Sequence, residues 1–206
     1  MNYNDLSPHE IEKLKYLHCF EHGTTANNQY GEGNHGKDAQ NFFIDQNIKS
    51  IVDIGAGQGV FVNNLATLSK SLKKIYALDI ASVAAGVNIK NEKITWIDGY
   101  SHDIPLEDDE VEWITSFDCL EHILPEDIQT TCDEFYRVCS VGALVKISYR
   151  DCIERSHLHN ELPDNHKSLH ISVFTKETWI EHFKAAGFQT VEELAMPSRS
   201  YLIFYK

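Results

Sequence analysis

Two stretches of this 206-residue chain combine residue types that can do chemistry. The first is Asp53-Ile54-Gly55-Ala56-Gly57-Gln58-Gly59. A glycine-rich turn between a strand and a helix lets a ligand approach the backbone closely, and the first turn of the helix offers free N–H groups. A pyrophosphate-binding turn calls for G-x-G-x-x-G/A, with a small third residue. Here the spacing is G-x-G-x-G, Val60 takes the third-glycine place, and Asp53 lies two positions before the first glycine. An acidic residue there suits a cationic ligand better than a pyrophosphate. Asp79 closes the run Ala77-Leu78-Asp79, where a carboxylate at a strand's carboxyl end can accept two ribose hydroxyls.

The second stretch is Ser116-Phe117-Asp118-Cys119-Leu120-Glu121-His122. Asp118, Glu121 and His122 have D-x-x-E-H spacing, and in a helical turn positions i, i+3 and i+4 share a face. Two carboxylates and an imidazole can hold a divalent cation such as Mg2+ or Mn2+, whereas without a metal the imidazole can act as a base or simply pack locally. Further on, Tyr149 to His170 carries His157, His159, His166 and His170 among Arg150, Asp151, Arg155 and Asp164. That polar segment reads either as an acceptor-binding lid that donates a base or as a solvated insertion.

The elements that must position these residues follow from periodicity and capping signals. Ser7, Pro8 and Glu10 form a capping-box start for a helix to about Phe20, with Ile11, Leu14, Leu17 and His18 on one face. His22 to Gly36 reads as a long loop that either closes over the site, with Tyr30, His35 and the adjoining Lys37, or is simply mobile. A short helix is expected from Lys37 to about Gln46, with Phe42 and Phe43 turned inward. Strand–helix alternation follows, with strands at 50–54, 74–79, 94–98, 112–117 and 143–148 and helices at 60–71 and about 126–138. Val62, Leu65, Ala66 and Leu68 are the expected core contacts of the helix at 60–71. A helix at 175–186, stopped by Gly187, precedes two strand-like runs, 189–194 and 200–205, close enough to form a hairpin at the sheet edge. Trp96, Trp113 and Trp179 are expected in the core. The fold class is therefore α/β: a parallel sheet with helices on both faces.

Composition narrows the function classes. The chain is 42% hydrophobic and 24% charged, as in an ordinary globular protein. No apolar run approaches the roughly 20 residues of a membrane-spanning helix. Eighteen basic against 31 acidic residues give a net charge of −13, which disfavours nucleic acid as a partner. Cys19, Cys119, Cys132, Cys139 and Cys152 are odd in number and contain no CxxC, so reduced thiols in a cytoplasmic protein are expected. The opening MNYNDLSPHEIEK has neither a basic flank nor an apolar stretch, so no signal peptide is expected.

From about Lys37 to its C-terminus, the chain resembles the class I S-adenosylmethionine-dependent methyltransferases. Asp53 to Gly59 looks like their first motif and Asp79 like their ribose-binding acid. Asp103-Ile104-Pro105-Leu106-Glu107-Asp108 resembles the D-L-P-F-x-D stretch before their fourth strand, and Ala186-Gly187-Phe188 matches a closing A-G-F. Ser140-Val141-Gly142 replaces their P-G-G turn. The resemblance implies a Rossmann-like, seven-stranded, mostly parallel sheet with an antiparallel C-terminal strand, in a single domain over 1–206. Within it, 1–36 would be a helix and lid-like loop, 37–148 the cofactor-binding core, 149–170 a substrate-side insertion, and 171–206 a helix and hairpin.

The cofactor implied is S-adenosyl-L-methionine, held by Asp53, Gly55, Ala56, Gly57, Gly59, Asp79, Ile80, Ser101, His102 and Asp118. Tyr100 stands where the family often has an acidic residue, and Asp98 is the alternative there. The D-x-x-E-H run resembles the E-x-x-E-H of small-RNA 2′-O-methyltransferases and ubiquinone-pathway O-methyltransferases. His170 corresponds to a later histidine of the RNA enzymes. Glu121, His122 and His170 are thus the candidate catalytic residues, and Asp118, Glu121, His122 and His170 the candidate metal ligands. The expected activity is O-methylation of a small polar metabolite. A metal-assisted RNA 2′-O-methyltransferase and a non-catalytic cofactor-binding protein are the alternatives.

Overall fold

A computed structural model of the chain describes residues 3–25, 30–31, 39–196 and 199–206. Most of the loop expected at 22–36, together with His35 and Lys37, lies outside the described residues.

Seven strands form one sheet: β1 (Ser50–Ile54), β2 (Lys74–Asp79), β3 (Ile94–Asp98), β4 (Val111–Phe117), β5 (Cys139–Lys146), β6 (Thr190–Met196) and β7 (Arg199–Tyr205). Their order is β3-β2-β1-β4-β5-β7-β6. β1 to β5 pair in parallel, while β7 runs antiparallel to both β5 and β6. Six strands therefore share one direction, as the resemblance implies. The helices are α1 (Pro8–His22), α2 (Gln40–Asp45), α3 (Val60–Leu68), α4 (Ile128–Val138) and α5 (Lys176–Ala186).

Strand alternation divides the core between the two faces. Ile51 packs with Phe43 of α2 and Phe61, Val62 and Leu65 of α3. Val52 and Ile54 pack with Ile128 and Phe135 of α4 and Trp179 and Phe183 of α5. Each large side chain so buried contributes about 1.5–3 kcal/mol. α1 begins as its sequence requires: Ser7 Oγ accepts from Glu10 N at 3.3 Å, and Glu10 Oε2 accepts from Ser7 N at 2.8 Å. α5 is capped by Thr175, whose Oγ1 accepts from Thr178 N at 3.2 Å.

Three local expectations need correction. α3 stops at Leu68, which is 56% exposed, because Ser69 turns extended; Phe61 fills the core position instead. Ser140-Val141-Gly142 is not a turn but part of β5, where Gly142 pairs with both Trp113 and Tyr205. A Cβ at Gly142 would lie 2.3 Å from the Phe204 carbonyl oxygen, so the glycine allows that close pairing.

The third correction concerns α1, whose buried residues are Ile11, Glu12, Lys15, Tyr16 and Cys19; Leu14, Leu17 and His18 are only half-buried. Lys15 is completely buried, with Nζ 2.6 Å from Glu12 Oε2 and 3.1 Å from the Ser168 carbonyl. The other Glu12 oxygen lies 2.7 Å from Nδ1 of the buried His166. A buried triad thus ties α1 to the 149–170 segment, with burial pulling the Lys15 pKa down and Glu12 pushing it back up. Removing one partner strands a buried charge, so Lys15→Met is expected to cost about 3–5 kcal/mol in urea unfolding. Lys15→Met/Glu12→Gln, which leaves no unpaired charge, is expected to cost distinctly less.

Candidate active site

The carboxyl ends of β1, β2, β4 and β5 open into one cavity of about 760 Å³, within the roughly 300–1,000 Å³ of small-ligand pockets. One end is lined by Tyr100, Ser101 and His102, the middle by Asp79 and Gly55 to Gly57, and the far end by His122, Lys146 and His170. α1 and the Tyr30-Gly31 pair close over it, with Tyr16, Phe20 and Tyr30 among the wall residues.

At the middle, the turn after β1 folds back on β2. Gly55 N and Ala56 N donate to the Leu78 carbonyl at 2.9 and 3.1 Å, and Gly57 N donates to Asp79 Oδ2 at 2.9 Å. Gly57 has φ of 56°, and a Cβ there would lie 2.8 Å from the Gly31 carbonyl oxygen, so only glycine fits under the cover. Gln58 completes the contact: its backbone N donates to Gly31 O at 3.0 Å and its Nε2 to Tyr30 O at 2.8 Å. Asp79 Oδ1 accepts from Ala81 N and Ser82 N at 2.9 and 3.0 Å. With three of about four acceptor sites used, the carboxylate retains capacity on Oδ2 for one further donor rather than two. Burial raises the Asp79 pKa, and these amide donors pull it partly back. Asp53 is buried, accepts from Thr115 Oγ1 at 2.6 Å, and is pushed up to about 7 by burial.

At the far end, the carbonyl of Glu121 accepts from Ile171 N and Ser172 N at 2.9 and 3.0 Å, pinning the His170 segment to the 3₁₀ turn Leu120–His122. The rings of His122 and His170 meet edge to face, 4.8 Å between centroids. Nδ1 of His122 lies 2.9 Å from both the Leu169 carbonyl and the Tyr16 hydroxyl, and Nδ1 of His170 lies 2.7 Å from the Arg150 carbonyl. A carbonyl can only accept, so each Nδ1 carries a proton and any further bond of either ring is made at Nε2. Glu121 is fully buried; Oε1 accepts from Ser148 N at 3.0 Å, while Oε2 has no hydrogen-bond partner among the described residues. Burial, then the charge of Asp118, pushes the Glu121 pKa up to about 8. Burial, then the neighbouring His170, pushes His122 down to about 3, so its imidazole is neutral through the physiological range. One ligand atom each from Glu121, His122 and His170 can be chosen so that all lie within 4.8 Å of one another.

The described geometry separates some residues that spacing grouped. Asp118 has φ of 50° at the end of β4, outside the 3₁₀ turn, and its carboxylate pairs with Lys146 Nζ rather than joining Glu121, His122 and His170. Gly59 does not line the cavity; it precedes α3 with φ of 79°, and a Cβ there would strike Trp96 at 2.7 Å. Ile80, Ala56 and Ser101 do line it, with Ser101 Oγ bonded to Thr131 Oγ1 at 3.1 Å. Asp98 is exposed, outside this cavity, and paired with Lys13 at 2.7 Å. Of the four histidines in 149–170 only His170 reaches the cavity; His166 belongs to the α1 triad.

A family model described as a methyltransferase domain matches residues 34–193. The chain belongs to this methyltransferase family. Its fold and first motif place it with the class I, S-adenosylmethionine-dependent enzymes. Against curated protein sequences it has no match. Among solved structures it resembles Burkholderia thailandensis 1,6-didemethyltoxoflavin-N1-methyltransferase, determined with its substrate and S-adenosylhomocysteine: 14% identity over 97% of this chain and 89% of that one, TM-score 0.63. Human N-acetylserotonin methyltransferase, determined with S-adenosylmethionine, is 17% identical over 84% of this chain, TM-score 0.60. A protein of an antibiotic biosynthesis pathway from Anabaena variabilis is 19% identical over 77%, TM-score 0.58. The methyltransferase spans 51% of the human chain and 64% of the Anabaena one.

The cavity fits the family's cofactor. Its wall carries Glu12, Asp53, Asp79, Asp118, Asp127 and Glu154 against one basic side chain, Lys146, a balance suited to a sulfonium and hostile to a pyrophosphate. The sequence reading of this methyltransferase missed Tyr16, Lys146, Ser148, His9 and Asp127 as wall residues. Polar residues at the carboxyl end of β5, on the ligand-binding edge, were a usable signal for Lys146 and Ser148. Nothing local marked Tyr16. Among the described residues no helix is long and apolar enough to cross a membrane.

The Asp53 carboxyl gives a pH test. Its folded value of about 7 against an ordinary 3.8 means that the folded state binds the extra proton between them, so stability falls as pH rises through that window. Asp53→Asn removes this titration. In urea unfolding without cofactor, the variant is expected to gain on the parent from about pH 4 to about pH 7 and to hold that gain above.

Proposed function

We propose that this methyltransferase transfers a methyl group to a hydroxyl oxygen of a small polar acceptor seated at the His122–His170 end of the cavity. One observation carries the reading: two imidazoles, each with Nδ1 on a backbone carbonyl, meet at the carboxyl end of β4, beside the glycine turn and Asp79. S-adenosylmethionine, when bound, supplies an electrophilic methyl group on sulfur. The chain's own residues bind, orient and move a proton. Asp79 Oδ2 offers a ribose hydroxyl its remaining acceptor site, Tyr100, Ser101 and His102 stand where the adenine would lie, and the Gly55–Gly57 turn lets the amino-acid end approach the backbone. Holding nucleophile and methyl carbon in line contributes several kcal/mol by orientation. A neutral imidazole with its Nε2 lone pair available then accepts the hydroxyl proton.

A second reading, favoured by the unpartnered Oε2 of buried Glu121, adds a divalent cation held by Glu121, His122 and His170. Their donor set of one carboxylate and two imidazoles fits Mn2+ or a neighbouring transition ion better than Mg2+. Such an ion would lower the pKa of a bound acceptor hydroxyl. Lys146 and Asp118 line the same end and would position the acceptor.

Methyl incorporation from labelled cofactor into a panel of small hydroxylated compounds, amines and RNA tests the acceptor class; labelled hydroxylated products are expected. In the imidazole-base reading, chelator leaves turnover unchanged and one histidine substitution dominates. In the cation reading, chelator abolishes turnover, Mn2+ restores it, and Glu121→Gln and His170→Ala are both near-inactive with unchanged cofactor affinity. For the cofactor itself, Asp79→Asn is expected to weaken S-adenosylhomocysteine binding by about 1.5–3 kcal/mol, roughly 10- to 150-fold in Kd by calorimetry.

A further inference from the structure

The opposite end of the cavity holds a second cluster, of which the proposed reaction uses His102 alone, beside the adenine. His9 Nε2 lies 2.7 Å from Asp127 Oδ2, and His102 Nδ1 lies 3.4 Å from the same oxygen. One ligand atom from each of these three residues can be chosen so that all fall within 4.8 Å of one another. They come from three separate pieces of chain: the first turn of α1, the loop after β3, and the 3₁₀ turn Pro125–Asp127 ahead of α4. Their rings are held by neighbours. His102 stacks on Tyr100 at 5.3 Å, and His9 meets the edge of Tyr100 at 5.5 Å and His102 at 4.9 Å. The nearby Lys13 is spent on Asp98.

We propose that His9, His102 and Asp127 form a binding site for a divalent transition ion of the zinc type, which fastens α1 across the nucleoside end of the cavity. Two imidazole nitrogens and one carboxylate oxygen select zinc and its borderline neighbours over Mg2+ or Ca2+, which prefer all-oxygen sets. Three protein ligands leave a fourth tetrahedral position for water. Bonds of about 2.0–2.1 Å place tetrahedral ligand atoms about 3.3 Å apart, so His102 and Asp127 already stand at the required separation. His9 must withdraw from Asp127 by about 0.6 Å, a side-chain adjustment that replaces the hydrogen-bonding proton by the ion. Because the ligands lie on α1, on the β3–β4 connection and ahead of α4, the bound ion cross-links the cover to both walls. This site does not depend on the acceptor chemistry proposed above, and it remains if that reading fails.

The test uses Zn2+ alone, titrated by calorimetry into the cofactor-free full chain carrying Glu121→Gln and His170→Ala, which removes the other cluster. One equivalent is expected to bind, with Mg2+ failing to compete. His9→Gln and His102→Gln should each weaken that event by at least about tenfold. His9→Gln keeps a hydrogen-bond donor for Asp127, so a merely structural role would leave zinc affinity where it was. Amide exchange along 8–22 should slow on zinc addition in the parent and not in His9→Gln. If the double-variant background does not fold, the same His9→Gln change in the otherwise unaltered chain should lower the zinc stoichiometry by one. Absence of stoichiometric zinc binding, or an event indifferent to both His9→Gln and His102→Gln, overturns the proposal.

Discussion

The site depends on a reversal in strand order. From β1 the sheet grows through β2 to β3 in one direction, and from β4 through β5 to β7 in the other. At such a switch point the connections leave β1 and β4 towards opposite faces, and a crevice opens above their carboxyl ends. The turn after β1 enters it from one side and the Leu120–His122 turn from the other. The cross-sheet contact is tight: a Cβ on Gly55 would sit 2.5 Å from Cys119 Cβ. Parallel pairing of β1 with both β2 and β4 fixes which residues stand at the rim, so Asp53, Asp79 and Asp118 reach the same edge from strands distant in sequence.

A crevice of this kind is open until something covers it, and here the cover is charged. α1 lies against the 149–170 segment through Lys15, Glu12 and His166, groups whose desolvation is compensated only while all are present. An apolar face would bind more tolerantly of register. The triad demands one placement, which delivers Tyr16 to His122 and His9 to Asp127 along the same helix. Both ends of the cavity therefore depend on a contact that touches neither reacting group.

The two histidine clusters differ in how their nitrogens are assigned. At His122 and His170, backbone carbonyls hold the protons on Nδ1 and leave the other nitrogen available, as is usual for imidazoles that act as ligands or bases. At His9 and His102 the partner is a carboxylate, which a cation can share. Glu121 sits between these cases. It is a buried carboxyl with one oxygen satisfied by Ser148 N and the other without a hydrogen bond among the described residues, an arrangement suited to holding a proton or an ion.

The sequence by itself determined the parallel sheet and its order of elements, because strand runs alternate with helical stretches and parallel strands are joined by such crossovers. It also determined the Gly55–Gly57 turn and Asp79, since backbone torsion and a strand-end carboxylate are local properties. The cap of α1 was equally local: Ser7 and Glu10 meet within a single turn. What it misjudged was non-local. Leu14, Leu17 and His18 looked like the buried face of α1 by period, yet Glu12 and Lys15 are buried, because their partner His166 lies more than a hundred residues away. Asp118 shared spacing with Glu121 and His122, but a left-handed residue and a short 3₁₀ turn broke the helical relation and gave it to Lys146. Only tertiary structure set His170 against His122, through two amides on the Glu121 carbonyl, and only tertiary structure joined His9, His102 and Asp127. Spacing along a chain fixes geometry within one element; between elements, packing decides.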